Sequence, residues 1–250
     1  MKVVQVNSVY GQGSTGDIVA HLDSYFSQNG IESIVAYGRG DGRLRDTNHI
    51  KTSRTSGVMI DVLATRLFGL VGYCSCGSTK KIENLIETVS PDIINIHNIH
   101  GYYANLGRIF DFLSTRQDNV VITMHDEFLM TGKCAHPGDC QNWQTQCRKC
   151  PKLREYPKSF FFDFSYKMFS EKRKSLNQSR ITFVCPSRWL ADRAKIAFPN
   201  KRVEVINNGI DTDGIFCPSN CEILKQELGL VDEKVVLCVA PSFDNPHKGK

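Results

Sequence analysis

Four cysteines, Cys134, Cys140, Cys147 and Cys150, fall within one short stretch of Pro, Gly, Asn and Gln residues that offers little apolar core of its own. Four thiolates so grouped could form a closed, tetrahedral structural zinc site. Cys147-x2-Cys150 has the usual knuckle spacing, Cys134-x5-Cys140 is longer than usual, and His136 is a substitute ligand. Unliganded or redox-labile thiols are the second reading, and disulfides the third, since a reducing compartment disfavours them.

A second group of residues suits proton and hydrogen-bond chemistry. His97, Asn98 and His100 follow one apolar run, and His125 and Asp126 follow another. An imidazole titrating near neutral pH can orient a hydroxyl or take its proton. Loop-stabilising hydrogen bonds are the competing reading for each of these residues.

Gly11-Gln12-Gly13-Ser14-Thr15-Gly16 matches G-x-G-x-x-G between a strand and a helix. Glycines let the backbone approach a phosphate, and free N–H groups at a helix start favour an anion. As a dinucleotide fingerprint the match is imperfect. Four residues separate it from the apolar run, and Tyr37-Gly38-Arg39-Gly40 offers no ribose-binding acid, Asp41 being a poor substitute. Asp17 would repel a phosphate beside it, so an anion would sit nearer Gly13 and Ser14. A tight connecting loop is the plain alternative.

The elements that position these residues alternate between strand-like and helical patterns. Strands are expected over residues 2–7, 31–37, 92–97, 120–124, 181–185 and 203–206, and helices over 16–28, 79–89 and 105–115. Short apolar runs separated by helices imply a Rossmann-like α/β domain over residues 1–210, a parallel sheet with helices on both faces and the Cys-rich loop 134–150 inserted. Residues 211–250 read as an interdomain connection, a helix at 222–228 and a first strand, 234–240, of a second, truncated domain. Cys185 and Cys238 read as strand-core residues.

The net charge of +5 is too small to announce nucleic acid, and no nucleic-acid partner is expected, although anionic diphosphates or an acidic membrane would suit it. The N-terminus carries no signal-peptide pattern and no window is long and apolar enough to span a bilayer, so a cytoplasmic protein is expected, with any membrane contact peripheral. Residues 152–174 interleave Tyr156, Phe160, Phe161, Phe162, Phe164, Tyr166 and Phe169 with lysines and arginines. The stretch reads either as an amphipathic segment on the inner face of a membrane or as core aromatics with a solvated basic face.

Taken in order, several stretches resemble family 4 glycosyltransferases of bacterial polysaccharide biosynthesis, the colanic-acid type. They are Gly13 to Gly16, Pro91-Asp92-Ile93-Ile94-Asn95-Ile96-His97-Asn98-Ile99-His100-Gly101-Tyr102-Tyr103, Thr123-Met124-His125-Asp126, the cysteine cluster, Pro186-Ser187-Arg188-Trp189-Leu190 and Asn207-Asn208-Gly209-Ile210-Asp211. The resemblance implies a GT-B hexosyltransferase that retains configuration and needs no catalytic metal. Its acceptor, a glycan or lipid-linked glycan, would lie on the N-terminal domain and its nucleotide-diphosphate sugar mainly on the C-terminal one.

By the same resemblance His125 is the catalytic candidate, His97, Asn98, His100 and Asp126 are acceptor-side, and Gly13, Ser14, Thr15, Gly16 and Lys248 meet the donor's phosphates. Asp211-Thr212-Asp213 spells D-x-D but belongs to the interdomain connection and takes no ligand role. The arginine that often precedes the lysine is not evident in Ala240-Pro241-Ser242-Phe243, and the later Glu-x7-Glu segment lies beyond residue 250, which leaves open whether this length of chain is active. An NAD-dependent enzyme using Gly11, Gly13 and Gly16, and a non-catalytic zinc-bearing interaction module, are the rival readings.

Overall fold

Seven short segments become the strands of one parallel sheet, β3 among them without a sequence expectation. The computed structural model describes residues 1–40, 47–116, 118–178, 180–217, 221–230 and 233–237. In chain order the elements are β1 (Lys2–Asn7), α1 (Gly13–Gln28), β2 (Glu32–Tyr37), β3 (His49–Lys51), α2 (Thr55–Phe68), α3 (Cys76–Val89), β4 (Ile93–Ile96), α4 (Leu106–Ser114), β5 (Asn119–Thr123), α5 (Asn142–Thr145), α6 (Ser165–Gln178), β6 (Ile181–Cys185), α7 (Arg188–Ala197), β7 (Arg202–Val205) and α8 (Glu222–Glu227). The sheet runs β3-β2-β1-β4-β5-β6-β7 with every pair parallel. Its order reverses between β1 and β4, and in open α/β sheets ligands sit outside the carboxyl ends of the strands at that point.

Burial explains why these runs are strands. Val4, Val6, Ile94, Ile96, Ile122 and Phe183 are fully enclosed, as expected for a sheet covered on both faces. The helices that cover it present apolar stripes: Leu106, Ile109, Phe110 and Leu113 of α4 recur at helical spacing and are all buried. Asn105 caps that helix, its side-chain oxygen accepting the Arg108 N–H at 3.0 Å, and Ser187 accepts the Leu190 N–H at 3.3 Å at the start of α7.

The differences from expectation have local causes. Gly11 and Gly13 adopt φ of 60° and 63°, conformations that glycine reaches without strain, so the chain turns into α1 at Gly13 rather than at residue 16. The stretch 152–174 is not one amphipathic helix. Only α6, from Ser165, is helical there, and its Met168 and Phe169 enter the core.

The chain divides into two units, Met1–Asn208 and Gly209–Lys250. In the second, Asp211 Oδ1 accepts the N–H groups of Asp213 at 3.1 Å and Gly214 at 2.7 Å, a local turn that occupies the carboxylate. Residues 233–237 form no strand, contrary to the expectation for 234–240. A strand needs a hydrogen-bonded neighbour, and the second unit has no other strand among its described residues. Cys238 and Lys248 lie outside the described residues.

One glycine sets the spacing of the carboxyl edge. A Cβ on Gly38, just past β2, would stand 2.2 Å from Tyr103 Cγ, and Tyr103 is wholly buried. Gly38→Ala is therefore expected to destabilise the fold by about 1–3 kcal/mol through overpacking, read as a lower denaturation midpoint at unchanged m-value.

Candidate functional site

Loops after β1, β2, β4 and β5 meet at the carboxyl edge beside the switch point. Asn7, the last residue of β1, accepts the Asn98 N–H on Oδ1 at 3.1 Å and donates from Nδ2 to the Val9 carbonyl at 2.8 Å. One buried amide thus ties the β1 loop to the β4 loop. From the far side of that loop the Tyr103 hydroxyl donates to the Asn98 carbonyl at 2.9 Å.

On this platform the parallel register of β4 and β5 builds a chain of polar groups. Thr123 Oγ1 donates to Asn95 Oδ1 at 3.2 Å, and Asn95 Nδ2 lies 3.0 Å from His97 Nε2. An amide NH2 can only donate, so with this amide orientation His97 Nε2 accepts and its proton is on Nδ1. His97 Nδ1 lies 3.1 Å from His125 Nε2, the rings being stacked at 5.4 Å between centroids. His97 must then donate, His125 Nε2 accepts, and the His125 proton is placed on Nδ1. The nitrogen of His125 outside the relay is therefore a donor.

A second pair lies alongside. His100 Nε2 is 3.3 Å from Asp126 Oδ2, its ring stacks on Phe128 at 4.6 Å, and Asp126 Oδ1 accepts the Phe128 N–H at 2.9 Å. Both pairs, His97 with His125 and His100 with Asp126, line a single pocket together with Asn98.

Burial dominates the electrostatics of all three imidazoles. It pushes His97 down to about 3, with the neighbouring His125 adding to the effect. His125 and His100 are lowered by burial first, while Asp126 pulls each the other way. All three are neutral near pH 7, which the relay requires, because a doubly protonated ring would have no acceptor to offer. His97 lines the pocket but is only 3% exposed, so it presents little surface there, while His125 is the more open ring of the pair.

Two side chains at this edge have unmatched polar atoms. Arg39 Nε and Asn98 Oδ1 are buried without a hydrogen-bond partner among the described residues. A Cβ on Gly101, whose φ is +128°, would stand 3.3 Å from the Arg39 guanidinium, so the loop after β4 closes around that cation only with glycine there. Arg39 was not selected from the sequence. Its signal was its place directly after a strand at the carboxyl edge.

The glycine loop is positioned but divided in role. Gly13, Ser14 and Thr15 open α1, whose start has no side-chain cap. Gly16 is buried, and a Cβ there would meet Val9 Cγ2 at 3.1 Å, so glycine lets α1 pack closely on the loop after β1.

Cys134, Cys140, Cys147 and Cys150 line one pocket, and every described cysteine is a free thiol. Burial raises the thiols of Cys134, Cys147 (to about 11) and Cys150. Among the described residues no group of three or more His, Cys, Asp or Glu side chains is arranged to hold a metal ion, and His136 joins none. What organises this loop is Lys133, whose buried Nζ donates to the carbonyls of Lys152, Leu153 and Glu155 at 3.0–3.3 Å.

No helix among the described residues is long and apolar enough to cross a membrane. Residues 17–214 match the family model Glycosyltransferase Family 4. The chain is 27% identical over 226 residues to the protein named "Putative colanic acid biosynthesis glycosyl transferase WcaC" of Escherichia coli (strain K12), a match that covers 84% of this chain and 55% of that protein. The chain thus spans about half the length of that curated relative. With its doubly wound parallel sheet and its polar groups gathered at the carboxyl edge, this chain belongs to Glycosyltransferase Family 4.

Proposed function

We propose that the chain supplies the acceptor-side half of a retaining hexosyltransferase in surface polysaccharide assembly. The sugar comes from a nucleotide-diphosphate sugar and goes to a glycan or lipid-linked glycan. The observation that carries the reading is the Asn95–His97–His125 relay, which ends in a donor nitrogen at the switch point. In this role His125 Nδ1 holds an acceptor or donor-sugar oxygen in place, and His97 and Asn95 are positioning residues that fix its tautomer.

Asn98 Oδ1 and the Arg39 guanidinium, with their unmatched atoms, are suited to acceptor hydroxyl or anionic groups. Ser14 and Thr15 at the uncapped start of α1 favour an anion, as a donor diphosphate would provide. The WcaC relationship supports the polysaccharide context.

The test is ligand binding and turnover of the intact protein. Uridine or guanosine diphosphate sugars are expected to bind and to release nucleoside diphosphate when a glycan acceptor is added. Quenching of NADH fluorescence with no response to either diphosphate would instead favour a dinucleotide enzyme using Gly11, Gly13 and Gly16.

A further inference from the structure

We propose that the outward face of α2, continued by residues 160–164, docks onto an anionic lipid bilayer. Helix α2 packs Val58 and Val62 against the core, yet it leaves more apolar side chains outside than in. Its buried side chains are Asp61 and Thr65, both fully enclosed, whereas Met59, Ile60, Leu63 and Phe68 face outward, Ile60 being 59% exposed. A helix of a water-soluble protein normally does the reverse. The two buried polar side chains are held by specific bonds: Asp61 accepts the Gly72 N–H at 3.0 Å and the Ser75 hydroxyl, and Thr65 Oγ1 donates to the Leu70 carbonyl at 3.2 Å.

The apolar face does not stop at the end of the helix. The Phe160 N–H donates to the Arg66 carbonyl at 2.8 Å, and Phe162 stacks on Phe68 at 5.8 Å between centroids. This brings Phe160, Phe161 and Phe162 beside α2, and Phe161 is 70% exposed. A contiguous aromatic and aliphatic surface of this kind marks an interaction site rather than scattered surface residues.

Charge selects the occupant. Arg54 precedes α2, Arg66 lies 5.9 Å over the Phe160 ring, and exposed Lys158 flanks the aromatic run. The only acids in residues 54–68 and 157–166 are Asp61 and Asp163. Asp61 is buried, and the Asp163 carboxylate accepts the N–H groups of Cys150 at 2.7 Å and Ser165 at 2.9 Å. An apolar face with a basic rim fits lipid headgroups and acyl chains together. A symmetric second copy would set Arg54, Arg66 and Lys158 near one another across the axis, where like charges repel.

Co-sedimentation of the intact protein with vesicles tests this without reference to sugar transfer, so its failure would leave the transferase reading standing. Vesicles of equal parts phosphatidylcholine and phosphatidylglycerol are expected to bind the protein, phosphatidylcholine alone much less, and salt should weaken the binding. The triple change Ile60→Ser, Leu63→Ser, Phe161→Ser is expected to lower partitioning by about tenfold or more, since burying one such side chain is itself worth about that factor. Arg54→Glu with Lys158→Glu should abolish the preference for anionic vesicles. Because all five side chains are exposed, melting temperatures should stay close to the parent's. The proposal is overturned if the parent protein pellets with neither vesicle, if neither set of changes alters binding, or if the protein sediments as a dimer that the triple change dissociates.

Discussion

On the proposed function, replacing His125 with alanine in the intact protein is expected to lower turnover by about two to four orders of magnitude, the range a positioned acid, base or donor supplies. His125 is the outermost ring of a relay whose other members are anchored in β4 and β5, so its geometry comes from the sheet rather than from a flexible loop. Removing it leaves the sheet strands and their hydrogen bonds in place and takes the acceptor from one buried His97 N–H, a cost of about 1–3 kcal/mol, so the protein still folds and the main loss should appear in kcat.

The tautomer sharpens the test. If the working atom is the Nδ1–H donor, His125→Asn, whose amide nitrogen can occupy about the place of Nδ1, keeps measurably more activity than His125→Ala. A proton-accepting role predicts that Asn and Ala are equally poor. Full turnover by His125→Ala would remove the residue from the mechanism.

Much of this scaffold was legible in the sequence. Strands β1 and β6 fall on the expected residues, and β4 and β5 differ by one residue at their ends, because short apolar runs bounded by Ser-Pro or by polar residues have few alternatives. Helix α4 was legible for the same reason, with Asn105 as its cap and a regular apolar stripe. The motif at Thr123 to Asp126 gave the position of His125, but not its partner. That His97 faces His125 depends on a strand register, Ile96 opposite Ile122, which no local pattern contains.

Helix α2 is hard to read from sequence because its face is mixed: Asp61 and Thr65 are buried beside Val58 and Val62, while Met59, Ile60 and Leu63 stay outside. Arg39 was passed over because a lone arginine after a strand looks like any surface cation until Gly101 and the loop after β4 are seen closing against it. The cysteine cluster was legible as a cluster, yet the group that organises its loop is a lysine, whose three carbonyl partners are 19 to 22 residues away.

The same buried histidines should make the protein acid-sensitive over a range where most carboxylates are still ionised. A base whose folded pKa lies below its unfolded value takes up its proton in the unfolded chain first, so folding stability falls as pH drops through the unfolded value near 6.5. With the folded value of His97 at about 3, the decline steepens toward about 1.4 kcal/mol per unit below pH 6.5, which gives about 2 kcal/mol between pH 7 and pH 5 from His97 alone. His100 and His125 are shifted in the same direction by burial and steepen the decline. Asp61 and Glu127 act against it, since burial raises their folded pKa values and the folded state then gains protons as pH falls.

The variant His97→Asn separates these contributions: denaturation midpoints measured at pH 7 and pH 5 should differ by about 2 kcal/mol less in the variant than in the parent. The Asn95 amide, left facing a side chain that can still accept, limits the cost of the change at pH 7. An unchanged pH slope would mean that His97 is protonated in the folded protein at pH 5. At that pH the relay could not run from Asn95 to His125 in the direction described, because a doubly protonated His97 has no nitrogen left to accept the amide.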